Sequence, residues 1–254
     1  MTIKESERHV VAVVAALSLL ECFEEDCSLR LKDFHERTGM QKSRIIRLLG
    51  SLQAAGFLAE ETDTSGFRLG PKVMALGRLV SETYLDLAGR VQPALLRITE
   101  EIGDTSFLSV VRGTQRMVLA QKTPEDGICF NIPEGQLRPL HAGATGKVLL
   151  AYSPDALWRK VLDGVLPELT TETQTDANEL QAELTMVRSS GHAVSYGEAT
   201  RHAFAISVPI VERNGMLLGA ITVAGPASKL DVDYEAKVSS LLKLEVARVV
   251  RGVA

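Results

Sequence analysis

The sequence predicts an α+β protein with three parts: an N-terminal winged helix-turn-helix, a linker helix, and a C-terminal antiparallel sheet with flanking helices. Three observations support this prediction. Two short helical patterns are separated by Gly39 and followed by a hairpin pattern. A long helical pattern then starts at Pro71, where a proline fits the first turn of a helix. After Gly103 the chain becomes rich in strand patterns with helical stretches between them.

The first helix of the N-terminal part is predicted at Val10–Leu20. This apolar run is too short to span a bilayer, and it lacks the basic region and cleavage site of a signal peptide. We therefore place it in the core of the first domain and expect no membrane partner. Leu31, Phe34 and Thr38 indicate a second, short helix that ends at Gly39.

The third helix carries the main functional prediction. Its apolar stripe has the i, i+3, i+4, i+7 spacing of an amphipathic helix and consists of Ile45, Leu48, Leu49 and Leu52. No acidic residue occurs between Arg37 and Ala59, and cationic or small polar side chains suit the phosphate oxygens and base edges of DNA. The candidate DNA-contacting residues are Gln41, Lys42, Ser43, Arg44 and Arg47 around this helix and Arg68 further along. The alternative is an ordinary surface helix with solvated cations.

The residues after this helix predict a wing. Gly56 ends the helix, Phe57–Ala59 starts a strand, Asp63–Gly66 forms a turn, and Phe67–Leu69 returns. In a winged helix the second helix of the pair lies in the major groove and the hairpin reaches along the DNA backbone. The sequence therefore predicts double-stranded DNA as a partner.

Charge and composition restrict these predictions. The formal net charge is -4, and residues 1–70 contain nine Lys plus Arg against eleven Asp plus Glu, so any DNA contact has to come from a local basic patch. Hydrophobic residues make up 45% of the chain, which is typical of a soluble globular protein. Cys22, Cys27 and Cys129 form no CxxC pair, so we predict no disulfide framework, metal site or cofactor, and a reducing cytoplasm fits.

A linker helix is predicted from Pro71 to about Ala88, with Gly89 ending it and a further helix at Val91–Ile102. Its apolar residues form two edges and comprise Val73, Leu76, Leu79, Val80, Leu85 and Leu87. Two apolar edges favour a helix shared between domains or protomers; a helix buried in a single core is the alternative. The predicted domains are residues 1–70, 71–89 and 90–254.

The C-terminal part is predicted to be an antiparallel sheet with helices at its sides. The predicted strands are Thr105–Arg112, Gln115–Lys122, Ile128–Ile132, His192–Glu198, Ala205–Val211 and Leu217–Ala224, with hairpin turns at Gly113–Thr114 and Asn214–Gly215. The predicted helices are Thr145–Tyr152, Pro154–Leu162, Asp176–Ser189 and Asp231–Arg251.

Several segments, taken in their order and spacing, carry a resemblance to a known family. They are Thr38–Leu49, Phe67–Pro71, Leu140–Ala151, Thr173–Asp176, Val187–His192, Glu198 and Val208–Pro209. In these segments the chain resembles the IclR family of bacterial transcriptional regulators over nearly its whole length. The resemblance implies a winged helix joined by a linker helix to a GAF-like effector domain, and dimers or tetramers that bind palindromic operators. It also implies either a repressor or an activator, because the family contains both.

Two segments depart from the family pattern where its members hold their effector. Glu198 is followed by Ala-Thr-Arg-His202, where the family usually has a glycine a few residues later, and Ile206–Pro209 reads Ile-Ser-Val-Pro where Ile-Ala-Ala-Pro is usual. These departures leave the identity of the effector open.

The helix start at Ala142–Thr145 is a candidate seat for that effector. Gly143–Lys147 is not a nucleotide-binding loop, because it lacks the GxxxxGK spacing and Val148 follows the lysine. Free backbone N–H groups at a helix start can hold a carboxylate. Small residues there also permit close packing of a helix on a sheet, and both interpretations can hold at once.

Further candidates project from the strands. Hydroxyl groups that face a helix favour a pocket for a small polar molecule when several converge, although each alone is typical of a satisfied core hydroxyl. His141 and His202 are candidate donors to an acidic ligand; for His141 a hydrogen bond to nearby backbone is the alternative. The candidate effector-binding residues are Phe107, Ser109, Phe130, His141, Ala142, Gly143, Ala144, Thr145, Ser195, His202, Ala205, Ser207, Thr222 and Ala224.

The function predicted from these features is a DNA-binding regulator controlled by a small organic or aromatic acid. The competing class is a metabolic enzyme, but the sequence has no GxSxG elbow, no HExxH and no dinucleotide fingerprint, so we predict no catalytic residues. A regulator that acts mainly through protein contacts stays open, because a fold does not dictate a function. The unopposed cations of Lys42, Arg44 and Arg47 favour DNA.

Overall fold

The computed structural model describes residues 10–23, 28–61, 66–125 and 130–251. The chain divides into two compact units, Met1–Thr83 and Tyr84–Ala254. One long helix, α4, begins in the first unit and ends in the second.

The first unit is the predicted helix-turn-helix with its hairpin. Its elements before α4 are α1 (Val11–Glu21), α2 (Leu31–Thr38), α3 (Lys42–Ala54), β1 (Leu58–Glu60) and β2 (Phe67–Leu69). The strands pair antiparallel, with Leu58 opposite Leu69. Most of the predicted turn at Asp63–Gly66 lies outside the described residues. The core of this unit contains one fully buried side chain from each helix, namely Leu19, Phe34 and Ile45, and it packs the three helices together.

The turn between α2 and α3 depends on Gly39. This residue has φ +66°, a left-handed conformation that costs a glycine little, and its N–H donates to the His35 carbonyl. Thr38 also donates from its Oγ1 to the Phe34 carbonyl at 2.6 Å. These contacts end α2 where the sequence predicts and turn the chain into α3.

The prediction that Gly89 ends the linker helix is wrong. Helix α4 is continuous over Pro71–Ile102 and contains both Gly89 and Pro93. Within a helix, glycine costs about 1 kcal/mol and proline about 3 kcal/mol relative to alanine. Val91, Leu95 and Ile98 are each 0% exposed, and burying one such side chain contributes about 1.5–3 kcal/mol. Their packing therefore exceeds the two local penalties, and the helix continues.

The second unit is a six-stranded antiparallel sheet between helices. Its strands are β3 (Thr105–Arg112), β4 (Gln115–Lys122), β5 (Leu137–Pro139), β6 (Ala193–Tyr196), β7 (Ala203–Val211) and β8 (Leu217–Pro226), in the spatial order β5-β4-β3-β8-β7-β6. Its helices after α4 are α5 (Gly143–Ala151), α6 (Asp155–Leu162), α7 (Ala177–Ser190) and α8 (Val232–Arg251). These bounds confirm the predicted α+β class.

The two faces of the sheet are covered by different helices. On β7, Ile206 and Val208 pack with side chains of α4 and α8 in one core. Ala205 packs on the opposite face with residues of α5 and α7 in a second core. Successive residues of a strand point to opposite faces, so the predicted alternation along this strand is confirmed.

The predicted strand at Ile128–Ile132 is wrong in its described part. From Phe130 onward the segment has no strand pairing, and β5 occupies the sheet edge beside β4 instead. The Ile132 N–H donates to the side-chain Oε1 of Gln121 at 3.1 Å, so a side chain takes the place of a backbone partner. The other predicted elements of this unit end within two residues of the observed bounds.

Candidate functional site

The first candidate site is the solvent face of α3. Gln41, Lys42, Ser43 and Arg47 are exposed and Arg44 is half-buried, whereas the stripe residues Ile45, Leu49 and Leu52 are buried. Arg68 is exposed on β2. The structure thus places all six candidate DNA-contacting residues at or near the surface of the first unit.

The cations of this face are not neutralised by nearby acids. Among the described residues, Lys42, Arg44, Arg47 and Arg68 form no ion pair with a carboxylate. Cations on such a face can bind phosphate oxygens without first breaking ion pairs within the protein.

Sequence reasoning missed one residue of the α3 face, Ile46. Its side chain is 55% exposed, one turn after Lys42 and next to Arg47. Apolar side chains at such positions contact thymine methyl groups in the major groove. The available signal was an isoleucine lying off the buried stripe.

The second candidate site is a cavity of about 300 Å³ in the second unit. It lies where the N-terminal end of α5 meets the sheet. Its lining residues are Phe107, Arg116, Phe130, Asn131, Ile132, Arg138, Gly143, Ala144, Thr145, Ser195, Ala199, Thr200, Ala203, Phe204, Ala205 and Ala224. Of the candidate effector-binding residues, the structure brings together here Phe107, Phe130, Gly143, Ala144, Thr145, Ser195, Ala205 and Ala224.

The start of α5 differs from the expected seat of free N–H groups. The Gly143 N–H donates to Glu198 Oε2 at 3.1 Å, and the Ala144 N–H donates to Ser195 Oγ at 2.9 Å. The expectation of free donors is therefore wrong at these two positions. Close packing is present instead, because a Cβ on Gly146 would lie 2.5 Å from the Leu140 carbonyl oxygen.

The predicted hydroxyl groups largely bind one another. Thr145 and Thr222 share a hydrogen bond of 2.9 Å, Thr222 donates to Ser207 Oγ at 2.9 Å, and Ser207 donates to the Ile221 carbonyl. Thr145 lines the cavity, whereas Ser207 and Thr222 are not among its lining residues. Ser109 is fully buried and accepts a hydrogen bond from Arg116.

Neither candidate histidine, His141 or His202, is among the lining residues of the cavity. The buried His141 ring contacts the Pro167 carbonyl through Nε2 at 2.9 Å, which is the backbone alternative. Burial lowers the pKa of His141, against smaller opposing effects of that carbonyl and of Glu198, so the ring is neutral at pH 7. His202 is exposed, with φ +59°. Ala142 is buried at the N-cap of α5, outside the lining.

A buried ion network holds the segment that departs from the family pattern. Lys147 is 4% exposed, and its Nζ lies 2.7 Å from Glu198 Oε1 and 2.5 Å from Glu183 Oε2. Thr173 donates to the backbone carbonyl of Glu198 at 2.7 Å. The next residues, Ala199 and Thr200, are thereby placed at the cavity wall.

Arg116 is the main residue that sequence reasoning missed. It is 4% exposed and lines the cavity from β4. Its guanidinium donates from Nη1 to Ser109 Oγ at 3.4 Å and lies 5.8 Å from the Phe107 ring centroid, and its buried Nε has no hydrogen-bond partner in the described parts of the chain. Burial, with a smaller effect of Arg138, lowers its pKa to about 10, so it stays charged at pH 7.

Arg116 shares the strand pattern of β4 with Val118, but this pattern alone does not show which face of the strand is buried. Arg116 precedes Val118 by two residues, so alternation places both on one face, and Val118 packs against Phe107. Arg138, a second cation of the cavity wall, is half-buried and donates from Nη1 to the Ala199 carbonyl at 3.0 Å. None of the described lining residues is acidic.

The described ranges contain neither a metal-binding cluster nor a membrane-spanning helix. No group of three or more His, Cys, Asp or Glu side chains there could hold a metal ion. No helix in the same ranges has the length and apolar character needed to cross a membrane.

Two known protein families match most of this chain. Residues 12–62 match the IclR helix-turn-helix domain, and residues 81–250 match the family described as bacterial transcriptional regulator IclR C-terminal. The chain is 29% identical over 245 residues to the HTH-type transcriptional regulator BhcR of Paracoccus denitrificans. The aligned region covers 96% of this chain and 87% of the relative.

Solved structures have the same fold. An IclR transcriptional regulator of Alicyclobacillus acidocaldarius is 25% identical, with a TM-score of 0.77 over 96% of this chain and 98% of that one. An IclR homologue of Microbacterium hydrocarbonoxydans in complex with 4-hydroxybenzoate is 21% identical, with a TM-score of 0.78 over 94% and 98% of the two chains. The helix-turn-helix match and the match over most of the second unit lead to one conclusion: the chain belongs to the IclR family of bacterial transcriptional regulators.

Proposed function

We propose that this protein regulates transcription by binding operator DNA through α3, under the control of a small organic or aromatic acid that occupies the cavity of the second unit. The observation that carries the proposal is a cationic α3 face that pairs with no carboxylate of the described residues, in the same chain as a buried, arginine-lined cavity. The 4-hydroxybenzoate held by the Microbacterium homologue supports an aromatic acid as the effector.

In this proposal the parts of the chain divide the work. Residues 1–70 bind DNA, residues 71–89 link, and residues 90–254 hold the effector. Dimeric regulators read half-sites at fixed helical intervals, so a change in the spacing of two α3 helices changes operator affinity. An effector shifts this equilibrium only by its differential affinity for the two arrangements, usually about 1 to 3 kcal/mol.

A homodimer, or a tetramer built from dimers, is part of the proposal. Helix α1 and its N-cap expose more than half of five apolar side chains: Val10, Val11, Val13, Val14 and Leu17. A second copy of the chain would cover this face, and two-fold symmetry would match a palindromic operator. We infer that the protein has no catalytic activity. We also infer that it acts in the cytoplasm, because its DNA target is there.

The first prediction tests DNA binding through α3. Lys42→Ala combined with Arg47→Ala should weaken binding to promoter DNA that carries the operator, because both side chains are exposed and lie off the buried stripe. A lost base contact should cost about 1–3 kcal/mol and relax preference at one base pair. A lost phosphate contact should instead lower affinity for all sequences and flatten its salt dependence.

The measurement is a gel-shift titration at several salt concentrations. Arg159→Ala serves as the matched control, because Arg159 is exposed on α6 in the second unit. If the double variant binds promoter DNA as tightly as wild type at matched salt, α3 is not the DNA-binding element.

A further inference from the structure

We propose that Arg116 binds the carboxylate of the effector, so that the cavity accepts a small carboxylic acid with an apolar, ring-sized body and rejects the neutral amide of the same shape. This inference rests on the proposed function in one respect, that the cavity is the effector site. It adds the residue that recognises the ligand and the chemical group that is recognised.

Arg116 is a buried charge for which the described residues supply little compensation. Its side chain is 4% exposed, and its Nη1 contact to the neutral Ser109 hydroxyl is long, at 3.4 Å. Its Nε has no hydrogen-bond partner among the described residues. Removing an arginine from water without an anionic partner is costly, and buried charges in proteins are normally paired. A ligand that supplies the missing anion would relieve this cost.

The described wall of the cavity does not supply that anion. No lining residue is acidic. The buried carboxylate of Glu198, next to the lining residue Ala199, already accepts from Lys147 at 2.7 Å and from the Gly143 N–H at 3.1 Å. A second cation, Arg138, also lines the cavity, and its proximity contributes to the lowered pKa of Arg116. The described wall of the cavity is therefore cationic and suited to an anion.

The guanidinium and the rest of the wall together indicate the shape of the anion. A guanidinium presents parallel N–H donors that match the two oxygens of a carboxylate. The remaining wall is largely apolar, with the side chains of Phe107, Phe130, Ile132 and Phe204. A volume of about 300 Å³ is at the small end for ligand pockets. Carboxylate at one end and a single ring or similar apolar body at the other fit these features.

A purely structural role for Arg116 predicts a different effect on stability than a role in ligand binding does. If stacking on Phe107 and bonding to Ser109 were its purpose, replacing it would destabilise the protein without ligand. If it is held uncompensated for a ligand, an uncharged side chain of similar length should stabilise the ligand-free protein, because functional sites trade stability for binding. The two interpretations predict opposite changes in melting temperature.

The binding test uses isothermal titration calorimetry on the full-length chain at pH 7. The probes are benzoate, 4-hydroxybenzoate and phenylacetate, each paired with its primary amide. At least one acid should bind, and its amide should bind about thirtyfold more weakly or not at all, the scale of losing one partner of a buried charge pair. Arg116→Gln should abolish acid binding, and Arg116→Lys should restore part of it without the fork geometry.

The control is Arg213→Gln, which removes the same charge from an exposed turn of the same unit and should leave acid binding unchanged. The proposal is overturned if an amide binds as tightly as its acid, if Arg116→Gln binds the acid like wild type, or if no acid of the set binds. It is also overturned if Arg116→Met lowers the melting temperature of the ligand-free protein rather than raising it.

A gel shift on the same preparations separates this inference from the proposed function. If wild type binds promoter DNA and only neutral compounds release it, the carboxylate anchor fails and the regulator stands. If the acid binds through Arg116 but no promoter DNA is bound, the proposed function fails and the anchor stands.

Discussion

At the scale of single residues, the ion network of Lys147 determines the shape of the cavity wall. Its ammonium group holds the carboxylate of Glu198, whose second oxygen accepts from the Gly143 N–H at the start of α5. One lysine thus ties α5 to the segment after β6. The charges of Lys147 and Glu198 are nearly fully buried, so removing either partner would leave the other as a costly buried charge.

The second prediction follows from this pairing. Lys147→Met should lower the free energy of unfolding of the second unit by about 3–5 kcal/mol, because Glu198 would keep a buried charge without its cation. Adding Glu198→Gln should recover part of the loss. Urea unfolding followed by the fluorescence of Trp158, the single tryptophan of the chain, reports on this unit.

Lys160→Met is the matched control, because Lys160 is exposed on α6 and its loss should change stability by less than about 0.5 kcal/mol. Equal effects of the two lysine substitutions would show that the network contributes no stability.

Also at this scale, a residue's chemistry was predictable from the sequence, but its partners were not. The small residues at the start of α5 indicated a site, yet the acceptors of their N–H groups, Glu198 and Ser195, come from 51 to 55 residues further along the chain. Arg116 stood in a strand pattern that allowed either face to be buried. Which cation is enclosed depends on tertiary packing, which local patterns do not encode.

At the scale of elements, local signals and packing compete, and α4 shows which of them prevails. Helix α3 and the hairpin strands were predictable because period, turn chemistry and burial all agree there. In α4 they conflict: Gly89 indicates a helix end, while Val91, Leu95 and Ile98 require burial on the sheet. The predicted strand at residues 128–132 failed in its described part for a related reason, since a side chain satisfies its backbone.

The third prediction tests the continuity of α4. Gly89→Ala should raise the free energy of unfolding by about 0.5–1 kcal/mol, because a glycine inside a helix costs that much and, apart from its chain neighbours and the nearby backbone of α4, a Cβ there meets no described atom within 4 Å. At a true left-handed helix end the same change would destabilise. Gly191→Ala, at φ +74° after α7, provides that comparison and should lower stability. Urea unfolding monitored by Trp158 measures both.

If Gly89→Ala destabilises the second unit as much as Gly191→Ala does, the helix ends at Gly89 and the sequence-based expectation was right. Helical content measured by circular dichroism should not fall in the first variant.

At the scale of the whole molecule, the proposed function assigns recognition and response to different units of the chain. The cationic face belongs to Met1–Thr83 and the cavity to Tyr84–Ala254. Because each unit has its own core, a change confined to one should leave the other folded. A regulator built in this way can be made unresponsive without losing its affinity for DNA.

The fourth prediction uses Ala144, which is 0% exposed and lines the cavity from the first turn of α5. Ala144→Leu should fill part of the space, abolish binding of the acid probes and leave promoter DNA binding unchanged, which gives a regulator fixed in one state. Overpacking also costs about 1–3 kcal/mol, so the melting temperature has to be recorded beside the calorimetric titration. Ala156→Leu, on the exposed face of α6, is the matched control and should respond like wild type. If Ala144→Leu folds with a normal melting temperature and binds the same acid with unchanged affinity, the effector site is not this cavity, and the division of work between the two units has to be assigned to another site.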